Sequence, residues 1–287
     1  MKTSYFFFSV LLCFVSFNAM AQQRRAIGPP ARNTHKAAPV DTTKFVLVEG
    51  GTYKMGTDKF VEAVENPPHD VTVNSFWLAK TEMTFEDYDR FCYDTKRDTM
   101  GSAGWGRGKQ PAIYVSWNDA IAYCNWLSGK EKLSKCYVID STGVKYLDTA
   151  KGYRLPTEAE WEFAARGGNK SKNTVYAGSD NINQVCWYKD NSGGKTSAVA
   201  QKAPNELGLF DMNGNVWEWN WDIFDGNYYR KSPANNPEGP ETGPYRVMRG
   251  GAFYNNTSYA RIFTRQNSYV VFRQNSVGFR IARSYNP

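Results

Sequence analysis

The residues of this chain whose types and spacing could do chemistry are concentrated between Leu207 and Trp219. Asp211 and Glu218 lie on either side of a turn that contains Gly214. Glycine tolerates the positive φ that folds a backbone tightly between two such acids. The turn could direct carboxylate and carbonyl oxygens at one point, and Ca²⁺ prefers a shell of about six to eight oxygens. The alternative is a turn whose acids only accept hydrogen bonds from nearby amides.

Two strands and three helices are the elements that would position this segment. Alternating apolar residues predict strands over 45–53 and 71–78. Thr84, Ser116 and Thr157 each precede a helical pattern and are typical N-cap residues. The helices are expected to end near residues 93, 129 and 167. The rest of the chain is rich in glycine and proline, which predicts long loops. Such loops are uncommon unless something, such as a bound ion, holds them.

The N-terminal residues are typical of an exported protein. Lys2 precedes an apolar run over residues 5–17, and small residues at 19–21 fit a signal-peptidase site. We predict a signal peptide over 1–21, a basic proline-containing linker over 22–43 and one domain over 44–285. The run is shorter than the ~20 residues of a transmembrane helix, and no later segment qualifies. The expected location is periplasmic, secreted or peripherally associated with an outer membrane.

Charge and cysteine content exclude several function classes. The formal net charge is +7, but the basic residues are scattered without a nucleic-acid-binding motif, so no nucleic-acid partner is expected. Two histidines cannot supply a zinc site or an iron facial triad. Cys124 lies on an apolar helical stripe, which favours a buried free thiol. The sequence does not determine how the cysteines that remain after the leader would pair: Cys92, Cys124, Cys136 and Cys186.

Short motifs follow one another in a fixed order through most of the chain. They are VEGG at 48–51, HDVTV at 69–73, VSWNDA at 115–120, RLPTEAEWE at 154–162, LFDMNGNVWEW at 209–219, RVMRGG at 246–251 and GFR at 278–280. Together they resemble the formylglycine-generating enzyme family, also called sulfatase-modifying-factor domains. The resemblance covers about residues 45 to 283. It implies an α+β fold related to C-type lectins, with a twisted antiparallel sheet, two main helices and long loops.

The resemblance implies a role for the acidic turn. Asp211 and Glu218 match side-chain calcium ligands of the family. Gly214 and Val216 match positions that ligate calcium through backbone oxygens. Calcium is therefore the expected cofactor.

Active members of the family that this chain resembles share a pair of cysteines. This pair binds copper, activates oxygen and converts a substrate cysteine into formylglycine. Thiolates are the ligands that Cu(I) prefers. Aligned on the glycine pair and on Ser258-Tyr259, the chain has Asn255 and Ala260 at the two cysteine positions. Copper is therefore not expected to bind. The other positions that match the active-site pocket are Trp217, Ala252, Tyr259 and Ser276.

The tail between residues 254 and 276 is rich in tyrosine, asparagine, serine and arginine. This composition is typical of recognition loops, because tyrosine supplies rigid contact area and the others supply adaptable hydrogen bonds. The alternative is that these residues only cover solvated strands and turns. The ligand-binding candidates are Tyr254, Asn256, Arg261, Arg265 and Tyr269.

Three functions remain open from the sequence. The first is an exported, non-catalytic module that binds a protein or glycan or acts as a scaffold in the cell envelope, similar to family relatives in gliding and type IX secretion or to ligand-display proteins. The second is a sulfatase-modifying oxidoreductase with an altered active site around Trp217 and Tyr259. The third is a carbohydrate binder that uses calcium directly.

Overall fold

The structure is a computed structural model that describes Met1 and residues 39–59, 63–141 and 143–285. Except for Met1, the predicted signal peptide lies outside the described residues, as does the predicted linker as far as residue 38. The chain from Ala37 onward forms one compact unit, which is the part described below. Within the described residues, no helix has the length and apolar character needed to cross a membrane.

The strands are short and numerous, and the helices are few. The strands are β1 (Phe45–Val48), β2 (Gly51–Met55), β3 (His69–Val73), β4 (Phe76–Ala79), β5 (Tyr137–Asp140), β6 (Gly143–Tyr146), β7 (Tyr153–Arg154), β8 (Trp217–Ile223), β9 (Tyr245–Arg249), β10 (Arg265–Tyr269), β11 (Val277–Gly278) and β12 (Ala282–Ser284). The helices are α1 (Phe85–Thr95), α2 (Trp117–Lys130), α3 (Glu158–Ala165) and α4 (Ile182–Val185). The expected α+β class is confirmed.

The two predicted N-terminal strands form one long hairpin that breaks in the middle. β2 pairs with β3, and β1 pairs with β4, both antiparallel. At the break, a Cβ on Gly50 would lie 2.5 Å from the carbonyl oxygen of Val73, so a side chain there would clash with the facing backbone. The prediction of two unbroken strands over 45–53 and 71–78 is therefore wrong at the breaks. The break lets one hairpin contribute to two separate sheets.

The three helix starts are confirmed. The hydroxyl oxygens of Thr84, Ser116 and Thr157 each accept a hydrogen bond from the backbone N–H three residues later. Asp119 and Glu160 complete capping boxes by accepting the N–H of the cap residue. These bonds satisfy N–H groups that have no partner within the helix, so the local sequence is sufficient to place each start.

Two four-stranded sheets organise the domain. One has the order β1-β4-β12-β7 and is antiparallel throughout. The other has the order β10-β9-β8-β11, in which β11 runs parallel to β8. Two-stranded sheets β2-β3 and β5-β6 complete the set, so the single twisted antiparallel sheet that was expected is divided into four.

Helix α3 is held on the second sheet by buried ion pairs. Glu158 receives two hydrogen bonds from the guanidinium of Arg265 on β10, at 2.7 and 2.8 Å. Glu162 forms an ion pair with Arg249 on β9, and all four side chains are almost completely buried. The guanidinium of Arg249 keeps the pKa of Glu162 below its usual value despite burial, together with that of Arg166. A buried ion pair is stable only while both partners are present.

A second buried ion pair ties α3 and β8 to the C-terminal segment. Arg280 donates two hydrogen bonds of 2.6 Å to Glu218. Trp161 of α3 donates its indole N–H to the same carboxylate at 2.7 Å. Arg280 also donates to the carbonyl oxygens of Ala79 and Phe210, so one guanidinium joins four segments of the chain.

Replacing Arg265 with methionine should destabilise the fold strongly. The variant leaves the buried carboxylate of Glu158 without its bidentate partner, which typically costs about 3–5 kcal/mol. Urea unfolding would measure the free energy of unfolding. Lys54→Met is the matched control, because it breaks an exposed ion pair of 2.9 Å with Asp70 and should change stability by less than about 1 kcal/mol. Equal stabilities for the two variants would contradict the structural role of the network.

Candidate functional site

A groove of about 400 Å³ opens on the second sheet, on the face opposite α3. Neighbouring residues of β8 point to opposite sides. Glu218 bonds to α3, whereas Trp217 faces the groove. All four strands of the sheet contribute to the groove, and loops on either side form its walls. It is lined by Trp217, Met248, Tyr254, Asn255, Tyr259, Gln266, Asn267, Ser268, Phe272, Gln274 and Val277.

The loop between β9 and β10 forms one wall and is closed by its own hydrogen bonds. Gly251 has a φ of +81°, and a Cβ there would lie 2.8 Å from the carbonyl oxygen of Tyr259. The side-chain oxygen of Asn255 accepts the N–H of Ala252 at 2.9 Å. The backbone N–H of Asn255 donates to the carbonyl of Ala252, also at 2.9 Å, and its carbonyl accepts from Lys189. The amide of Asn255 therefore shapes the loop.

The residues that match the family's active-site pocket lie in and beneath this groove. Trp217 and Tyr259 meet edge to face, with ring centroids 6.3 Å apart and planes at 85°. Tyr259 is 40% exposed. Ala252, Ala260 and Ser276 are buried, and the hydroxyl of Ser276 has no hydrogen-bond partner among the described residues.

Three of the five predicted ligand-binding residues are exposed, and two are buried. Tyr254 lines the groove and is 42% exposed. Asn256 and Tyr269 are exposed but do not line it. Arg261 and Arg265 are buried, and they pair with Glu65 and with the α3 carboxylate described above. The expectation that these two arginines are available to a ligand is therefore corrected, because their guanidinium groups hold the interior together.

Several groove residues were not singled out from the sequence. Met248, Phe272 and Val277 are apolar residues that sequence alone does not separate from the core. Gln266 and Ser268 alternate along β10 and face the same side as Met248, because Gln266 pairs with Met248 in the register. The composition of the tail over 254–276 already indicated recognition residues, but only the pairing with β9 places Gln266 and Ser268 beside Trp217.

The acidic turn is buried and tightly folded. Asp211, Gly214 and Asn215 all have positive φ, at +55°, +74° and +57°. A Cβ on Gly214 would lie 2.0 Å from the carbonyl oxygen of Trp187, so glycine is required there. Asp211 accepts the backbone N–H of Ala200 at 2.7 Å. The predicted turn between Asp211 and Glu218 is thus present. The Asp211 carboxylate also accepts a backbone amide, as the alternative interpretation predicts.

Glu82 joins the acidic turn and was missed in the sequence. Its carboxylate accepts the N–H of Val216 at 3.1 Å and the side-chain amide of Asn215 at 2.7 Å. Burial, with the negative charges of Asp211 and Glu218, raises the pKa of Glu82 well above its usual value. Burial also raises the pKa of Asp211 to about 6. Glu82 precedes the turn by more than a hundred residues in the sequence, so only the tertiary fold reveals it.

The carboxylates at this turn have the charge that would suit a bound cation. Glu82, Asp211 and Glu218 are buried near the guanidinium of Arg280, and burial raises the pKa of Glu82 and of Asp211, so a bound cation would favour the ionised form of these two carboxyl groups. Among the described residues, no hydrogen bond ends on the carbonyl oxygen of Gly214 or Val216. In the same part of the chain, no three His, Cys, Asp or Glu side chains converge closely enough to hold a metal by themselves. Backbone oxygens would have to complete a calcium shell, and calcium stays a prediction.

The four described cysteines are free and buried: Cys92, Cys124, Cys136 and Cys186. The expectation of a buried free thiol at Cys124 is confirmed. None of the four lines the groove. Burial raises the pKa of each thiol above its usual value, which keeps these groups protonated and unreactive at neutral pH.

Comparison with known proteins agrees with this architecture. Residues 31–285 match the model of the sulfatase-modifying factor enzyme 1-like domain. The chain is 35% identical over 252 residues to chaperone protein LppX of Paenibacillus barcinonensis, covering 76% of this chain and 81% of that protein. It is 30% identical over 321 residues to the formylglycine-generating enzyme of Streptomyces coelicolor, covering 89% and 92%.

Two solved structures are also similar. Treponema denticola variable protein 1 superimposes with a TM-score of 0.74 and 30% identity, covering 84% of this chain and 95% of that one. PvdO from Pseudomonas aeruginosa superimposes with a TM-score of 0.69 and 28% identity, covering 84% and 94%. The expected formylglycine-generating-enzyme-like fold is therefore confirmed.

In a buffer with a chelator, Asp211→Asn should be more stable than the native chain at pH 7.5. The folded state raises the pKa of Asp211 from 3.8 to about 6, so it binds the proton more tightly than the unfolded state. The free energy of unfolding of the native chain therefore falls by about 2–3 kcal/mol in total as pH rises through the interval between these two pKa values. The advantage of the variant should shrink as pH falls towards 4.

Urea unfolding at several pH values would measure this difference. Asp190→Asn, which changes an exposed acid nearby, should follow the native chain at every pH. An advantage of Asp211→Asn that grows as pH falls would contradict the buried position of this carboxylate.

Proposed function

Because the chain belongs to the sulfatase-modifying factor enzyme 1-like family, we propose that it uses this family's scaffold to bind a ligand and does not generate formylglycine. The family includes enzymes, but a shared fold does not transfer an activity. The activity depends on the residues in the groove. Among the described residues, those that line the groove offer surface for recognition and no cysteine thiolate for copper.

The proposal rests on one observation. Among the described residues, no cysteine lines the groove. By the resemblance, Asn255 and Ala260 align with the copper-binding cysteine pair of active members, and neither side chain can form a thiolate. The amide of Asn255 is bonded to Ala252 within its own loop, and Ala260 is buried. The described cysteines lie elsewhere in the interior, where burial keeps them protonated.

We further propose that the protein acts outside the cytoplasm, in the cell envelope. The apolar leader pattern over residues 5–21 supports export to the periplasm, secretion or peripheral attachment to an outer membrane. Its partner would be a protein or a glycan of the envelope, as for a gliding or type IX secretion component or a ligand-display protein. A sulfatase-modifying oxidoreductase with an altered active site is the alternative.

Calcium would act as a structural ion in this proposal. The segment from Cys186 to Val216, between α4 and β8, contains no helix or strand, although much of it is buried. An ion held by the predicted ligands Asp211 and Glu218 and the carbonyl oxygens of Gly214 and Val216, with Glu82 beside them, would neutralise the buried carboxylates. It would also hold this segment beneath the loop that walls the groove, because Gly214 donates its N–H to the carbonyl of Gly250.

Restoring the thiol pair should restore copper binding. The double variant Asn255→Cys/Ala260→Cys is expected to bind one Cu(I), measured by competition with a chromogenic chelator, whereas the native chain binds none. The double serine variant at the same positions is the control for changes in loop packing. Stoichiometric Cu(I) binding by the native chain, followed by aldehyde formation on a thiol peptide, would contradict the proposal and favour the oxidoreductase.

Calcium should raise the melting temperature of the native chain at pH 7.5. An ion at 100-fold over its Kd adds about 2.7 kcal/mol of stability. The gain should be smaller at pH 5, because protons compete for Asp211 and Glu82. Asp211→Asn should lose most of the gain, and Asp190→Asn should keep it. Identical melting curves with chelator and with millimolar calcium would exclude the structural ion.

A further inference from the structure

Among the described residues, no charged side chain lines the groove, although the chain carries 35 Lys and Arg and 28 Asp and Glu residues. The arginines on the neighbouring strands have other partners. Arg246 of β9, which is paired with Ser268 in the register, donates to the carbonyl oxygen of Trp221 and lies over the ring of Trp117. Arg265, on β10 beside the groove, is paired with Glu158 on the other face of the sheet. A charged ligand group placed in the groove would lose its hydration without gaining a counter-ion, which is costly. The groove therefore selects an uncharged ligand.

The groove also offers polar groups that a purely apolar ligand would leave unpaired. Among the described residues, no hydrogen bond occupies the side-chain polar groups of Ser268 or Gln274. Covering this hydroxyl and this amide with an apolar ligand would cost their hydrogen bonds to water. The ligand must therefore carry several donors and acceptors and no net charge.

Aromatic rings supply the remaining recognition surface. Tyr259 stands perpendicular to Trp217, and Tyr254 and Phe272 lie on opposite walls of the groove. Tyr254 and Tyr259 are both about two-fifths exposed, at 42% and 40%. Exposed rings of this kind present an apolar face beside a polar hydroxyl. They match a ligand that alternates apolar and hydroxylated surfaces.

One backbone N–H on the edge strand beside the groove already has a hydrogen-bond partner. β10 is the edge strand, and its outward N–H groups would be the attachment points for an extended peptide. The side-chain oxygen of Gln266 already accepts the N–H of Asn267 at 2.9 Å. Main-chain pairing with a peptide would have to break this bond. The edge therefore favours a ligand without a peptide backbone.

From these four features we infer that the groove binds a neutral saccharide. A pyranose ring has an apolar C–H face that can lie on Tyr259 or Tyr254, and its hydroxyl groups both donate and accept hydrogen bonds to planar amides. A volume of about 400 Å³ lies within the ordinary range for small-ligand pockets. The inference rests on the proposed binding function and names its ligand class. Recognition by these side chains needs no direct contact between the sugar and calcium.

The test compares uncharged and charged oligosaccharides of one length on the full mature chain. Titration calorimetry would use the hexamers of glucose with α-1,4 and β-1,4 linkages and the hexamer of N-acetylglucosamine. The charged ligands are a hexuronate and the glucosamine hexamer. The glucosamine hexamer has a charged amine in place of each N-acetyl group of the N-acetylglucosamine hexamer. We expect at least one neutral hexamer to bind at least tenfold more tightly than either charged one. Its affinity should change less than twofold between 0.05 and 0.5 M salt, since no ion pair contributes.

Groove variants locate the binding and separate it from folding. Tyr259→Ala and Gln274→Ala should each weaken the neutral hexamer at least tenfold, whereas Tyr259→Phe should stay within about threefold because the ring face remains. Tyr93→Ala is the matched control, since Tyr93 is 86% exposed on α1, and it should bind as the native chain does. Loss of binding in Tyr259→Phe as well would indicate recognition by the hydroxyl and would overturn the stacking argument.

Other outcomes distinguish this inference from the proposed function. No binding of any neutral hexamer, or binding unchanged in Tyr259→Ala, would overturn the inference. Tight binding of a lysine-rich or aspartate-rich decapeptide that Tyr259→Ala abolishes would also overturn it, while the binding function would stand. Formation of formylglycine on a thiol peptide would instead overturn the proposed function itself.

Discussion

The fold depends on carboxylates of one short helix and the arginines that meet them inside the protein. Glu158 and Glu162 project from α3 into the interior, where only paired charges are tolerated. Arg265 and Arg249 come from two neighbouring strands, and their positions follow from the pairing of β10 with β9. A shift of β10 by one residue in that register would turn the Arg265 guanidinium to the other face of the sheet, away from Glu158. The ion pairs therefore fix the register as well as the helix.

The residues that stabilise the fold and the residues proposed to bind a ligand lie on opposite faces of the second sheet. Glu218 on one face of β8 belongs to the ionic interior, and its neighbour Trp217 on the other face belongs to the groove. Because side chains alternate along a strand, substitutions on the groove face leave the ion pairs intact. The loop with Asn255 and Ala260 lies beyond the strands and is still less constrained by the network. This arrangement is consistent with one scaffold that supports a formylglycine-generating enzyme in some relatives and, as proposed here, a binding protein.

Features that arise from neighbouring residues were predictable from the sequence, and features that arise from distant ones were not. The caps at Ser116 and Thr157 depend on residues three positions away, so the helix starts were correct. Arg261 was misjudged because its carboxylate partner, Glu65, is 196 residues away, and composition alone suggested an exposed recognition residue. Glu82 was missed for the same reason, since it reaches the acidic turn only through tertiary folding.

The loop that walls the groove is shaped by its own hydrogen bonds. Asn255 closes its loop through the bond to Ala252, and Gly251 lets that loop fold back on Tyr259. A loop held by its own hydrogen bonds does not need a copper ion to order it. A ligand that enters a preformed site avoids most of the entropy cost of ordering side chains and loops. An amide at position 255, where the resemblance predicts a thiol in active members, is thus consistent with the proposed recognition function, because the Asn255 amide shapes the wall and cannot act as a thiolate ligand.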